Sequence, residues 1–334
     1  MLKKTKLLLG FTAVLTALLI VVSCFIQPER ITDASWIDNR DRNALSVMNE
    51  PENSIDVLVL GDSESFTAIS PYRLWQKQKI TAYVCGQSGQ QISEAYYLMK
   101  RAFQKQHPRL VILETNELFT HARYLEETRM AVTEAGKYYM PVFSYHNRWK
   151  DFFFAPESAE IRPDEISWKG FEIRKACRPC EKTDCMAEEE PRELFSSIKY
   201  YLKKIKKFCD EQECDLLLLG VPSPKNWNAA KHRAVAGYAK AEGIDFQDLN
   251  LKVKELKIDW QTDSYDGGDH LNLQGAEKVT DHLGNYLKEN YDFSDSSSAA
   301  GKKTEAFWDA GLKEYLECIQ NGGKACAEQE PAEI

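Results

Sequence analysis

The feature that most constrains the fold is an alternation of short apolar segments with segments of helical spacing, which begins near Ile55. The alternation runs to about residue 120 and resumes after residue 190. Such a pattern is typical of a parallel sheet with helices on both faces. The sequence therefore predicts a three-layer, doubly wound, flavodoxin-like α/β domain whose five parallel strands cover residues 55–60, 81–84, 110–113, 215–221 and 245–249.

The segments outside this pattern divide the chain further. Residues 1–26 are predicted to be a membrane anchor or signal segment, and residues 27–53 a polar juxtamembrane linker. The α/β domain is assigned to residues 54–291, with an aromatic-rich insertion at about 120–190 that is expected to lie over the sheet edge. Residues 292–334 are predicted to form a linker, a short amphipathic helix and a tail.

The N-terminal segment predicts attachment to a membrane. Residues 7–26 carry no charge and follow three lysines, and about 20 apolar residues in a helix span a ~30 Å hydrocarbon core. Lysines before the segment and acidic residues after it predict that the domain lies outside the cytoplasm. A cleaved signal segment and lipidation of Cys24, which ends a Val-Val-Ser-Cys box, remain alternatives to a single-pass transmembrane helix.

Charge and cysteine content exclude some classes of partner. The formal net charge of -8 arises from 51 acidic and 43 basic residues without a basic stripe, which argues against nucleic-acid binding. Three of the nine cysteines, Cys177, Cys180 and Cys185, lie close together in CRPCEKTDC. No histidine lies near them, so disulfides or free thiols are favoured over a zinc site. Cys318 and Cys326 are candidates for a disulfide in the tail.

Ser63 is the candidate nucleophile, because it follows a buried strand in VLVLGDSES. At that position a hydroxyl lies at the sheet edge, near the backbone N–H groups that begin a helix. A serine hydroxyl needs a base to react at neutral pH. His270 is the candidate base, because its acidic, glycine-rich loop supplies Asp263, Asp266 and Asp269 as carboxylates that can orient an imidazole.

Four blocks of sequence, taken in order, resemble the SGNH/GDSL hydrolase superfamily over residues 55–290. They are GDSES at 61–65, CGQSGQ at 85–90, LETNELF at 113–119 and DGGDHLN at 266–272. The resemblance implies that Ser63 is the nucleophile of an acyl-enzyme mechanism and that His270 is its general base. It also implies an oxyanion hole made by the backbone N–H groups of Ser63 and Gly89 and the side-chain amide of Asn116. No metal and no cofactor are expected.

The acid that orients His270 is open between two residues. The family usually places it three residues before the histidine, where this chain has Gly267. Asp266 lies four residues before His270, and Asp269 lies one residue before it. Asp266 is preferred, because a small loop adjustment would bring it to Nδ1, whereas Asp269 would need an unusual turn.

A narrower resemblance is to membrane-tethered SGNH proteins that modify cell-surface polymers. It rests on the anchored N-terminus, on the insertion, and on LGVPSPKNWN followed by KH and DFQDLN. It implies a cell-surface carbohydrate polymer as substrate and a multi-pass membrane acyltransferase as partner. Trp227 and the aromatic residues of the insertion are candidates to stack on sugar rings.

The predicted function is therefore an extracytoplasmic serine esterase or O-acyltransferase. Whether water or a sugar hydroxyl accepts the acyl group depends on how the site excludes water, which a sequence does not reveal. The alternative is a catalytically inactive carbohydrate-binding or scaffold protein that has lost a working acid. A redox or zinc protein built on the clustered cysteines is the third interpretation.

Overall fold

Five parallel strands form the centre of the fold: β1 (Val57–Gly61), β2 (Ala82–Gly86), β3 (Leu110–Glu114), β4 (Asp215–Gly220) and β5 (Asp245–Asp248). They pair in the order β2-β1-β3-β4-β5. This is the flavodoxin-like order of a doubly wound sheet, so the predicted fold class is confirmed. The computed structural model describes residues 2–28, 31, 37, 39–119, 124–153, 168–190, 192–293 and 301–321.

Helices precede, connect and follow these strands. They are α1 (Leu2–Ile26), α2 (Asn39–Leu45), α3 (Ser63–Ala68), α4 (Pro71–Gln78), α5 (Ile92–Ala102), α6 (Tyr124–Tyr139), α7 (Val142–Tyr145), α8 (Ser196–Glu211), α9 (Ala229–Glu242), α10 (Leu273–Asn290) and α11 (Gly301–Asn321). Short 3₁₀ helices cover Ser46–Asn49, Asn116–Phe119, His146–Phe152 and Leu249–Lys252. The helix α9 begins later than the sequence predicted, because the Asn228 side chain accepts a hydrogen bond from Lys231 N at 2.8 Å and caps it.

Alternate residues of β1 face the two helical layers. Leu58 and Leu60 belong to one hydrophobic cluster, and Val57 and Val59 belong to the other. All four side chains are fully buried. Because both faces of the sheet are covered, β1 has a continuous apolar sequence instead of an alternating one.

The N-terminal helix has the length and composition of a membrane span. Its candidate span is Lys3–Ile26, and only 6% of its most apolar window is buried against the rest of the chain. Signal sequences near an N-terminus have the same properties. The helix therefore agrees with either of the two predictions for this segment.

The segment 39–50 packs on the α/β domain, although the sequence predicted a linker over residues 27–53. Ala44 and Val47 are fully buried, and Tyr83 of β2 donates a hydrogen bond to Asn43 O at 2.8 Å. Apolar side chains in this short polar stretch cover part of the sheet, which is why the folded unit begins before residue 54.

Part of the insertion covers the edge strand β2. Val84 N donates to Lys169 O at 2.9 Å, which pairs a backbone group that an edge strand would otherwise expose. Lys169 also forms a buried ion pair with Glu50, with Nζ and Oε2 2.6 Å apart. Burial lowers the pKa of Lys169, and the charge of Glu50 opposes that effect. The segment 168–171 therefore joins β2 to the N-terminal part of the domain.

The helix α11 is part of the packed domain. Trp308 and Tyr315 are buried against α4, where Tyr315 OH lies 3.0 Å from Ser70 Oγ. Trp75 Nε1 donates to Asp309 Oδ1 at 2.8 Å. The sequence predicted a short amphipathic helix here, and the structure gives one of 21 residues. Cys318 at its end is disulfide-bonded, and Cys326 lies outside the described residues.

We expect Trp308→Ala to destabilise the protein by about 3–5 kcal/mol, because it removes a fully buried indole from the contact between α11 and α4. The matched control is Glu314→Ala on the exposed side of the same helix, for which a change within about 0.5 kcal/mol is expected. Urea unfolding of both variants measures the difference. Equal free energies of unfolding would contradict the packing of α11.

Candidate active site

Ser63 begins α3 directly after β1, and its hydroxyl meets His270 from the loop before α10. Ser63 Oγ lies 2.7 Å from His270 Nε2, and His270 Nδ1 lies 2.6 Å from Asp266 Oδ2. Asp269 Oδ1 is 3.9 Å from the same nitrogen, which is beyond hydrogen-bond distance. The structure therefore brings Ser63, His270 and Asp266 into one hydrogen-bonded chain and leaves Asp269 beside it.

The loop between Asp266 and His270 explains the unusual spacing of the acid. Gly267 has φ +81° and Gly268 has φ +96°, a left-handed conformation that favours glycine. Both glycine N–H groups donate to Ser264 Oγ, at 3.0 and 2.7 Å. The turn brings Asp266 Oδ1 within 2.8 Å of the His270 backbone N–H. The glycine pair thus lets an acid four residues before the histidine reach Nδ1.

The electrostatic environment of His270 favours its protonated form. Burial lowers its pKa, but the hydrogen bond and charge of Asp266, together with the charges of Asp269 and Glu64, raise the pKa above the ordinary 6.5. Burial also raises the pKa of Asp266, and its hydrogen bond with His270 reverses this, so the net direction is downward. A carboxylate therefore faces an imidazole of increased basicity.

The residues predicted for the oxyanion hole lie at one edge of the sheet. Asp62, directly before Ser63, accepts a hydrogen bond from Glu64 N at 3.0 Å and caps α3. Its other oxygen accepts a bond from Asn116 Nδ2 at 2.9 Å. Asn116 follows β3 and Gly89 lies in an exposed loop after β2, with φ +59°. Since β1, β2 and β3 are parallel, their carboxyl ends place these groups together.

Several buried carboxyl groups lie near the nucleophile. Glu64, Glu114 and Glu117 are all buried. Burial and the charge of Asp62 raise the pKa of Glu64 to about 8. The same causes raise the pKa values of Glu114 and Glu117 well above the usual range. Burial therefore favours the protonated form of each of these three groups.

Two residues that the sequence reasoning missed, Lys231 and Asn226, join α9 to the site. Lys231 Nζ donates to Asn116 Oδ1 at 3.2 Å and to Asn226 O. Asn226 Nδ2 donates to Glu64 Oε1 at 2.7 Å and to Asp269 Oδ1. Burial lowers the pKa of Lys231, and the charge of Glu64 opposes that effect. The sequence signal that could have identified these two residues was their place in the polar segment that follows β4.

The loop that contains Gly89 is held by α2. Arg40 Nε donates to Ser88 O at 2.8 Å. The Arg40 guanidinium also donates to both carboxylate oxygens of Glu94, at 2.8 and 2.9 Å, and Glu94 Oε2 accepts Gln91 N at 2.8 Å. The sequence did not identify Arg40 as part of the site, because it lies in the predicted linker. Its bonds fix both ends of the loop that carries a candidate oxyanion donor.

The prediction that Trp227 stacks on a sugar is wrong. The Trp227 ring is 2% exposed, and its Nε1 donates to Asp248 Oδ2 at 2.9 Å. The ring packs edge-on against Phe119, so its faces are not open to a ligand. The same Asp248 oxygen lies 2.6 Å from His232 Nδ1, an acidic partner that the sequence did not reveal.

Two groups of side chains in the described part of the chain have the spacing of a metal site. They are Asp266, Asp269 and His270, and Asp62, Glu64 and Glu114, with ligand atoms within 4.8 Å of one another. In the first group, both ring nitrogens of His270 are already engaged with Ser63 and Asp266. In the second, both oxygens of Asp62 accept hydrogen bonds. These contacts favour a metal-free role for both groups.

The clustered cysteines form a support for the His270 loop. Cys177, Cys180 and Cys185 are free thiols, and the two candidate metal groups of the described residues contain no cysteine. Cys180 is buried next to Gly268. Backbone bonds join this segment to the loop, from Arg178 N to Ser264 O at 3.1 Å and from Gly267 N to Arg178 O at 3.1 Å.

The sheet order and the Ser63–His270–Asp266 contacts agree with the arrangement that the sequence resemblance implied for these residues. No family model matches the sequence, and no curated protein matches it.

Several solved structures show a distant similarity to this chain. A G-D-S-L family protein from Desulfitobacterium hafniense is 12% identical, with a TM-score of 0.38 over 69% of this chain and 98% of that chain. The family 3 carbohydrate esterase of Clostridium thermocellum is 13% identical, with a TM-score of 0.36 over 70% and 96%. The lipase/acylhydrolase of Enterococcus faecalis is 11% identical, with a TM-score of 0.35 over 71% and 98%. These similarities are too remote to assign an activity.

We expect Asp266→Asn to lower the ester-hydrolysis rate by about 10²–10⁴-fold, because it removes the partner that orients and charges His270. The base must be neutral, so kcat/KM should fall as the pH drops through a His270 pKa above 6.5. Without the Asp266 charge, this acidic limb should move to lower pH.

Asp269→Asn is the matched control, and its plateau rate should stay within about fivefold of the original. Both pH profiles of kcat/KM are measured with a soluble ester. Retained activity in Asp266→Asn together with a large loss of activity in Asp269→Asn would show that Asp269 orients His270.

Gly268→Ala should destabilise the protein by about 1–3 kcal/mol more than Gly267→Ala. Both positions have positive φ, but a Cβ at Gly268 would lie 2.5 Å from Cys180 Sγ, whereas the nearest atom to one at Gly267 is 3.8 Å away. Urea unfolding measures both variants. Adding Cys180→Ala should recover part of the Gly268→Ala loss, and equal losses at the two glycines would show that the contact with Cys180 is unimportant.

Proposed function

We propose that this protein is a serine esterase or O-acyltransferase that acts outside the cytoplasm on acyl esters of cell-surface carbohydrate polymers. The observation that carries the proposal is the hydrogen-bonded chain from Ser63 through His270 to Asp266, with contacts of 2.7 and 2.6 Å. Attachment to the membrane, through α1 or through a lipid on Cys24, is part of the proposal.

In the proposed mechanism Ser63 Oγ attacks the ester carbonyl carbon while His270 Nε2 takes the hydroxyl proton. Asp266 stabilises the imidazolium that forms, and its hydrogen bond to Nδ1 holds the ring in position. His270 then gives the proton to the leaving alcohol. Water or a sugar hydroxyl, deprotonated by His270, attacks the acyl-enzyme and restores Ser63.

The proposed oxyanion donors are the backbone N–H groups of Ser63 and Gly89 and the amide of Asn116. An amide NH₂ carries two hydrogens. One hydrogen of Asn116 bonds to Asp62, and we assign the other to the oxyanion. Lys231 bonds to Asn116 Oδ1 and so acts as a positioning residue that fixes the plane of the amide. Loss of one such donor typically slows acyl transfer by about 10²–10³-fold.

A tyrosine-lined cavity supports the choice of a carbohydrate substrate. Its volume is about 550 Å³, and it lies between α6 and the first turns of α5 and α8. Tyr97, Tyr200 and Tyr201 line it, and Tyr200 is exposed. Aromatic rings with a polar end can pack on a sugar and bond to its hydroxyl groups. Ile92, the first residue of α5, lines this cavity and follows the loop of Gly89 in the chain.

A multi-pass membrane acyltransferase is the proposed source of acyl groups for the transfer reaction. Tethering by α1 would keep the domain beside such a partner. The alternative of an inactive carbohydrate-binding or scaffold protein depended on a displaced acid. The contact of 2.6 Å between Asp266 and His270 favours the catalytic proposal over that alternative.

An alkyl fluorophosphonate should modify Ser63 of the full-length protein, because the reagent reacts with a serine that a histidine activates. Intact-mass and peptide analysis locate the adduct. Ser63→Ala should abolish labelling and the hydrolysis of p-nitrophenyl acetate, whereas Ser88→Ala, a change at an exposed serine, should retain both. An unmodified Ser63 in folded protein, or equal hydrolysis by wild type and Ser63→Ala, would refute the mechanism.

A further inference from the structure

The end of the apolar helix α1 is bonded to a surface segment of the insertion, residues 142–153. Val142 N donates to Ser23 Oγ at 3.1 Å. Arg148 Nη1 donates to Ile26 O at 2.8 Å and to Gln27 O at 3.0 Å. The second pair of bonds occupies carbonyl groups that a helix leaves unpaired at its end. These contacts fix the position of the segment relative to α1.

The same contacts fix the depth of this segment when α1 spans a bilayer. The uncharged residues 7–26 form a helix about 30 Å long, which matches the thickness of the hydrocarbon core. Ile26 then lies at the far boundary of the core, and Ser23 lies about 4–5 Å inside it. Arg148, which bonds to Ile26 O and Gln27 O, therefore lies at the level of the lipid headgroups, and Val142, which bonds to Ser23, lies slightly deeper.

This segment exposes three aromatic side chains, which we call the aromatic patch: Phe143, Trp149 and Phe153. Their exposed fractions are 50%, 48% and 76%. The rings of Trp149 and Phe153 lie against each other, with centroids 6.3 Å apart. Exposed Lys150 and the partly buried Arg148 bring positive charge beside the patch. Aromatic rings are enriched at headgroup depth, and basic residues are attracted to anionic headgroups.

We propose that the aromatic patch inserts into the outer headgroup layer of the bilayer, so that the domain contacts the membrane at a second place besides α1. The proposal depends on the membrane attachment included in the proposed function. Continuity with α1 selects a lipid surface as the occupant, because the bonds to Ser23 and Ile26 hold the patch beside the span. Two points of contact restrict the tilt of the domain, which one helix alone would leave variable.

The test uses the full-length protein in vesicles of phosphatidylcholine and phosphatidylglycerol, with and without brominated phosphatidylcholine as a quencher of indole fluorescence. The emission of Trp149 is obtained as the difference between wild type and Trp149→Phe. Trp308→Phe gives the matched control, because that ring is fully buried between α4 and α11. We expect the brominated lipid to remove most of the Trp149 emission and little of the Trp308 emission.

Two measurements separate the possible failures. Retention of the intact chain on vesicles after an alkaline carbonate wash, with the N-terminus checked by mass, tests the attachment itself. A chain that washes off contradicts the membrane attachment, and with it the inference. A chain that is retained but whose Trp149 is quenched no more than Trp308 overturns the aromatic patch alone. Unchanged hydrolysis of p-nitrophenyl acetate by Trp149→Phe verifies that the variant is folded.

Discussion

The hydrogen bond between Ser63 and His270 joins residues 207 positions apart in the chain, and the arrangement of the site depends on it. Ser63 is fixed at the end of β1, an inner strand of the sheet. His270 arrives on a loop whose ends are held by the bond from Tyr265 N to His270 O at 2.9 Å and by Asn272, which caps α10. Parallel strands make the meeting possible, because all of their carboxyl ends lie at one edge. The neighbouring polar residues are arranged around this contact.

The site contains more acidic than basic side chains, and their burial determines what they can do. The hydrogen bond with His270 lowers the pKa of Asp266, whereas burial raises the pKa values of Glu64, Glu114 and Glu117. The partly buried ammonium group of Lys231 adds positive charge near Asn116. Asp266 therefore places negative charge behind the imidazole, and Lys231 places positive charge near Asn116, a proposed oxyanion donor. Such a distribution stabilises an imidazolium without repelling a developing oxyanion.

The sequence alone predicted the structure correctly where one local pattern determines it. Continuous apolar runs predicted the central strands because both faces of the sheet are buried. A strand end identified Ser63, an acidic, glycine-rich loop identified His270, and the family resemblance supplied Asn116. The sequence alone did not predict the structure where it depends on contacts between residues far apart in the chain. Trp227 faces inward because Asp248 receives its indole N–H, and residue type alone does not reveal the direction of a ring. Lys231 meets Asn116 across 115 residues, and the segment around Arg40 is too short and polar to show that it packs on the domain.

The packing of α11 on α4 has a consequence for the order in which the chain matures. Trp75 and Asp309, which bond to each other, are separated by 234 positions. All five strands therefore precede α11 in the chain, and the aromatic surface of α4, with Tyr72 and Trp75, lacks the helix that covers it until α11 docks. During this interval the aromatic side chains of α4 are exposed to solvent. A chaperone that binds aromatic surfaces would therefore find its site at α4 in the interval before α11 docks.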